Sequence, residues 1–175
     1  NTMDSTSNAR GAAFICASVS GACNTLATAP DCANVKIATF TGPGNFTVNS
    51  VGTPAANNEI SYMIVGAGGG SGTNDGGGGG AGGYRETKTP ITPYTASPLC
   101  GYSTPGNRVT VTAQAYPIVI GGGGTKGGPS STDGTPGGNS SGFGITSTGG
   151  GGGGSESPSR NGLPGGSGGG GGSGG

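Results

Sequence analysis

The chain has 175 residues, of which 46 are Gly and only 29% are hydrophobic, so any apolar core must be small. Seven basic and seven acidic side chains give a formal net charge of zero, and their scatter along the chain excludes the basic footprint of a nucleic-acid or membrane-surface binder. No apolar stretch approaches the roughly 20 residues that span a bilayer, and the longest, 62–65 and 116–120, have the length of strands.

The chain begins at Asn1 without a basic-then-apolar leader and stops inside GGSGGGGGSGG, which reads as a segment of something longer. From the N-terminus onward, runs rich in β-branched residues and bounded by turn formers predict strands over 13–18, 35–40, 46–51, 59–65, 108–113 and 116–120. Thr41-Gly42-Pro43-Gly44 reads as a hairpin loop, and Thr104-Pro105-Gly106-Asn107 as a turn ahead of the fifth strand. In that strand alternation sets Val109, Val111 and Ala113 on one face and Arg108, Thr110 and Thr112 on the other, the period of a half-buried antiparallel strand. No window carries helical periodicity. Four cysteines, Cys16, Cys23, Cys32 and Cys100, form an even set in a core-poor chain, which favours disulfides in an oxidising compartment with three pairings open. The competing reading, a zinc site, lacks both a C-x-x-C pair and any His.

Glycine is concentrated in zones: five in residues 1–65, twelve in 66–83, two in 84–120 and 27 in 121–175. Two strands run straight into glycine, Tyr62-Met63-Ile64-Val65 into Gly66-Ala67-Gly68-Gly69-Gly70 and Ile118-Val119-Ile120 into Gly121-Gly122-Gly123-Gly124. A slack tether has no reason to begin twice at the end of an apolar strand. The division expected is an N-terminal cysteine-containing segment at 1–35, a β domain at 36–120 with the embedded run 66–83, and a glycine-rich region at 121–175.

The stretches SYMIVGAGGGSG, GGGGGAGGYRE, YPIVIGGGGTKGG and GGNSSGFGITSTGGGGGG occur in an order that resembles the glycine-rich domain of phage tail fibres and related extracellular fibre or adhesin proteins. Its specific part is the non-glycine punctuation, Ala81-Gly82-Gly83-Tyr84-Arg85 and Asn139-Ser140-Ser141-Gly142-Phe143-Gly144, and it covers roughly residues 36–175. Residues 87–106, Pro-rich and carrying Cys100, depart from it as an insertion. The resemblance implies ordered glycine runs packed as left-handed helices of polyproline type, which keep N–H groups that a proline helix lacks. Without side chains such helices can approach closely and exchange main-chain hydrogen bonds. The fold expected is therefore all-β with almost no α-helix: a small antiparallel β-sandwich or jelly-roll-like domain with ordered polyglycine helices and long glycine-rich loops.

Catalysis is not expected, since there is no His and no nucleophile paired with a base, and the G-x-S-x-G matches at 165–169 and 171–175 are what this composition produces by chance. Gly121-Gly-Gly-Gly-Thr-Lys126 lacks the Ser or Thr that would complete a phosphate loop, and the acidic residues stand far apart, so no cofactor and no metal are expected. Asn45-Phe46-Thr47 and Asn139-Ser140-Ser141 fit the N-glycosylation acceptor pattern, with ordinary turn asparagines as the alternative. Tyr84, Tyr94, Tyr102 and Tyr116 read as strand-face packing, with sugar contact as the alternative.

The function expected is a non-enzymatic structural subunit or module of an extracellular fibre or filament, at a cell surface or on a virion. It would self-assemble with other copies through strand edges and glycine segments. The apolar segment around Ala13, Phe14, Ile15 and Val19 is the candidate donated strand. The alternative is a receptor-binding adhesin domain of a phage tail fibre that displays loops such as 133–143 to a cell-surface receptor or glycan. Ice binding is a third reading, weakened by the interruptions TKGGPSSTDGTP and SESPSRNGLP.

Overall fold

A computed structural model of the chain describes residues 14–30, 32–53, 55–129, 131–156 and 161–173. Among them the chain is nearly all-β: eleven short strands and one 3-10 turn, Ala55–Asn58. Among the described residues no helix is long and apolar enough to cross a membrane. The structure clusters into two units, Asn1–Tyr62 with Thr87–Ile118, and Met63–Glu86 with Val119–Gly175.

In the first unit, β1 (Cys16–Val19), β4 (Gly44–Ser50) and β9 (Ala115–Ile118) form an antiparallel sheet in the order β1-β4-β9. Phe46 in the central strand stands opposite Val19 on one side and Tyr116 on the other. Strand β2 (Thr25–Ala29) pairs with β3 (Cys32–Thr39), and β5 (Glu59–Ile60) with β8 (Val109–Thr110). Phe46, Val48, Tyr62, Val109, Val111 and Ile118 are buried, and all six belong to this unit. The alternation read at 108–113 holds for Val109 and Val111, but Ala113 is exposed because the chain bends away there.

Two sequence expectations change. Thr41-Gly42-Pro43-Gly44 does not close a hairpin: β3 and β4, which it joins, lie in different sheets. Gly21, at φ 100°, and Asn24, whose Nδ2 donates to the Ser20 and Pro43 carbonyls at 2.8 and 3.4 Å, tie this turn to the one after β1. The strand read at 59–65 breaks at Ser61 into β5 and β6 (Tyr62–Val65), because the Ser61 hydroxyl bonds the loop at Thr89 and Thr92. Strand β2 lies outside the strands expected from sequence, since TLATA has an exposed, weakly apolar pattern.

Strand β6 pairs with β7 (Tyr84–Thr87), and apart from Tyr62 and Thr87 both belong to the second unit. Strand β10 (Ser140–Gly142) pairs with β11 (Ile145–Ser147), register Gly142 to Ile145. Phe143 and Gly144, both at positive φ (57° and 79°), form the two-residue loop between them, as a type I′ turn requires.

Candidate functional site

The glycine runs of the second unit are ordered, and their hydrogen bonds repeat every third residue. The N–H groups of Gly66, Gly69 and Gly72 donate to the carbonyls of Gly83, Gly80 and Gly77, each at 2.9 Å. Those of Ala67 and Gly70 donate to Gly138 and Thr135 at 3.1 and 2.9 Å. The carbonyls of Ala67 and Gly70 accept from Gly150 and Gly153, and those of Gly68 and Ser71 from Gly124 and Gly127, all at 2.8 Å. One short segment thus bonds four neighbours. A β-strand cannot do this, because its period of two points every donor and acceptor into one plane.

At the centre lies the run entered from β11. Residues 149–155 are all buried. They bond to segments on every side: Gly77, Gly80, Gly134, Gly137, Leu163 and Gly166 donate to carbonyls of this run, while Gly150 and Gly153 donate to 67 and 70, and Gly151 and Gly154 to 167 and 170. Among the described residues the buried apolar side chains are all in the other unit; the buried side chains of this one are polar, Glu86, Ser140, Ser147 and Ser155, and its central run is bonded mainly by main chain. A Cβ on Gly151 would overlap the Leu163 carbonyl, and one on Gly152 the Gly134 carbonyl. Glycine here permits approach closer than any side chain allows. By contrast Gly78, Gly122 and Gly123 face open space and are exposed.

The turns between runs gather at one end. Thr73 Oγ1 donates to the Gly128 carbonyl at 2.9 Å, Asn74 Nδ2 to Ser131 Oγ at 3.0 Å, and Ser155 Oγ to the Ser131 carbonyl at 2.8 Å. Asp133 Oδ1 accepts from the Ser155 N–H at 2.8 Å, and the Asp75 carbonyl from the Ser173 N–H at 2.9 Å. Asn74, Asp75 and Ser131 take positive φ of 51°, 54° and 55°, so the turn at 74–76 is tightly wound. The segment 133–143 is not a single loop: Gly134 and Gly137 bond the central run and 140–142 are β10. Among the described residues no group of three or more His, Cys, Asp or Glu side chains comes together.

The residues singled out in the sequence are dispersed. Ala13 lies outside the described residues; Phe14 is exposed, and Ile15 and Val19 are half-buried, Val19 within β1. Cys16 and Cys23 are exposed free thiols, and Cys100 is a half-buried free thiol whose Sγ accepts from the Lys88 N–H at 3.3 Å. The Cys32 side chain lies outside the described residues. Asn45 and Asn139 are both exposed, and Asn139 Oδ1 accepts from the Gly149 N–H at 2.9 Å, anchoring the start of the central run.

The four tyrosines are likewise spread. Tyr84 is half-buried in β7, and Tyr94 is exposed with Lys88 Nζ 5.9 Å from its ring centre. For Tyr116, burial alone would raise the phenol pKa, but hydrogen bonds from the Thr112 hydroxyl, the Thr112 N–H at 2.7 Å and Gln114 lower it overall. Tyr102 donates to Glu59 Oε2 at 3.0 Å, and that bond first, then desolvation, raises its pKa by favouring the protonated phenol. Glu59→Gln is expected to bring the Tyr102 titration back down toward its ordinary value near 10, read by phenolate absorbance; an unmoved titration would show that the bond is not formed in solution.

A family profile described as a glycine-rich domain matches residues 41–175. Neither curated proteins nor solved structures give a match.

Proposed function

The chain belongs to the glycine-rich domain family, and from that premise we propose that it is a non-enzymatic structural module of an extracellular fibre or filament, on a cell surface or virion, that assembles with copies of itself. The observation that carries this reading is the second unit's interior of glycine backbone, bonded at a period of three. That period supports left-handed helices of polyproline type, with three residues per turn, as the form of the runs. The five small sheets lend no comparable support to a sandwich or jelly roll. A body of this kind needs no apolar core to hold its shape, which suits a shaft or a tip. Its outer ridges, as at Gly122 and Gly123, carry no side chain to keep a second copy away.

Electron microscopy of the purified chain across a concentration series tests this: filaments or regular oligomers are expected, and discrete monomers at every concentration would overturn it. Because β1 already occupies the edge of its own sheet, strand donation would take the form of exchange, β1 of one copy replacing that of the next beside β4. Deletion of residues 1–20 is then expected to abolish filaments while leaving a folded chain. Normal filaments from the deleted chain would rule out donation.

A second reading, a receptor-binding adhesin domain, is favoured by the convergence of the turns at 73–76 and 128–133 on one end of the unit. Competition for cell binding by the isolated chain would select it over the purely structural reading.

A further inference from the structure

The first unit contains a cleft of about 290 Å³ lined by Asn57, Glu59, Thr89, Pro90, Ile91 and Tyr102. Its volume is near the lower end for small-molecule sites, roughly 300–1,000 Å³. We propose that this cleft binds a neutral saccharide. The site does not depend on assembly or on the glycine runs, because every lining residue belongs to the unit with the apolar core.

The walls are held in place. Beneath Asn57 and Glu59, Asn58 is clamped by the Gly52 N–H to its Oδ1 at 2.7 Å and by the Val111 N–H to its carbonyl at 2.9 Å. On the opposite wall the Thr89 N–H donates to Ser61 Oγ at 2.9 Å, Thr89 Oγ1 lies 2.9 Å from Thr92 Oγ1, and the Thr92 N–H closes a turn onto the Thr89 carbonyl at 3.2 Å. Pro90 and Ile91 sit at the tip of that turn. Tyr102 is fixed by its bond to Glu59, by Arg108 Nε donating to its carbonyl at 3.1 Å, and by the Arg108 guanidinium 4.4 Å from its ring centre. The loop from 88 to 108 has no strand or helix of its own, yet successive turns order it, as is usual for long loops that carry function.

The chemistry is two-sided. Ile91 is 67% exposed although Thr89 and Thr92 on either side of it both bond the Ser61 hydroxyl, so a tied turn presents an apolar side chain to solvent. The same cleft is lined by the Glu59 carboxylate, which can accept several hydrogen bonds, the Asn57 amide, which can both donate and accept, and Tyr102, whose hydroxyl donates to Glu59. A sugar ring matches both sides, with C–H groups for Pro90 and Ile91 and hydroxyls for Glu59 and Asn57. A purely apolar ligand would strip water from Glu59 without replacing its hydrogen bonds. An anionic ligand would meet the Glu59 charge.

Titration of the full chain with cellotriose, maltotriose, mannotriose and chitotriose, followed by amide and side-chain NMR, tests this. At least one is expected to shift Glu59, Ile91 and Tyr102 saturably, with a Kd on the order of 1 mM. Glu59→Gln is expected to weaken that binding about tenfold or more, and Ile91→Ala, at an exposed position that leaves the fold intact, about fivefold. The proposal is overturned if no neutral probe moves these residues, if both folded variants bind as the parent does, or if only an anionic probe such as sialyllactose binds.

Discussion

Gly151→Val is expected to unfold the second unit, at a cost above about 4 kcal/mol, whereas Gly78→Ala is expected to change stability by no more than about 1 kcal/mol. Both positions lie in glycine runs of similar composition. They differ in what surrounds them: Gly151 is buried in the central run, its N–H bonded to the Ser167 carbonyl and its own carbonyl to the Gly80 N–H, while Gly78 faces open space. A side chain at 151 would drive the Leu163 backbone away and break bonds to several segments together. Gly80→Val should behave as Gly151→Val does, since its Cβ would overlap the Ser167 carbonyl. Urea unfolding followed by circular dichroism and amide exchange reads the difference. If Gly151→Val melts with the parent chain, the runs are not interlocked in solution.

Phe46→Ala is expected to destabilise the first unit by about 3–5 kcal/mol, the usual cost of emptying an aromatic site in a core. Phe46 is 9% exposed at the centre of β1-β4-β9, and the neighbouring Val48 is 2% exposed. With six buried apolar side chains among the unit's described residues, little is available to refill the space. Ile37→Ala in β3 is the control, because Ile37 is 48% exposed and its truncation should cost less than about 1 kcal/mol. Equal losses at the two positions would mean that Phe46 is not the core of its sheet. The pair also tests whether the two units derive stability from different sources. Glycine substitution should be costly in the second unit and apolar truncation in the first.

How far the sequence could be read depended on the range of the interactions. The near-absence of helix followed from the lack of any window with helical periodicity, and the strands at β3, β4 and β6 from β-branched runs between turn formers. Val109 and Val111 were readable as buried because alternation is a local signal. The hairpin expected at 41–44 failed because a turn signal shows that the chain reverses, not which strand will pair. Of the cleft residues, the sequence marks only Tyr102, as one of four tyrosines read as strand-face packing or sugar contact. Asn57 and Glu59 precede Thr89 to Ile91 by some thirty positions, and no spacing rule connects them.

For the glycine runs the same boundary holds. Composition and the repeated passage from apolar strand into glycine were enough to argue for ordered runs, since a linker has no cause to start at a core strand. Which glycines matter was invisible, because GGGGG offers no contrast between its members. Gly78 and Gly80 are chemically identical in the sequence, yet one faces solvent and the other the Ser167 carbonyl. A run at a period of three turns successive residues toward different neighbours, and only the packing of segments distant in the chain supplies those neighbours. Local propensity therefore determined that this chain would be β-rich and ordered through glycine. Tertiary structure decided that Gly149–Ser155, and not any apolar segment, would lie at the centre of the second unit, because main-chain hydrogen bonds take their partners from wherever the fold brings them.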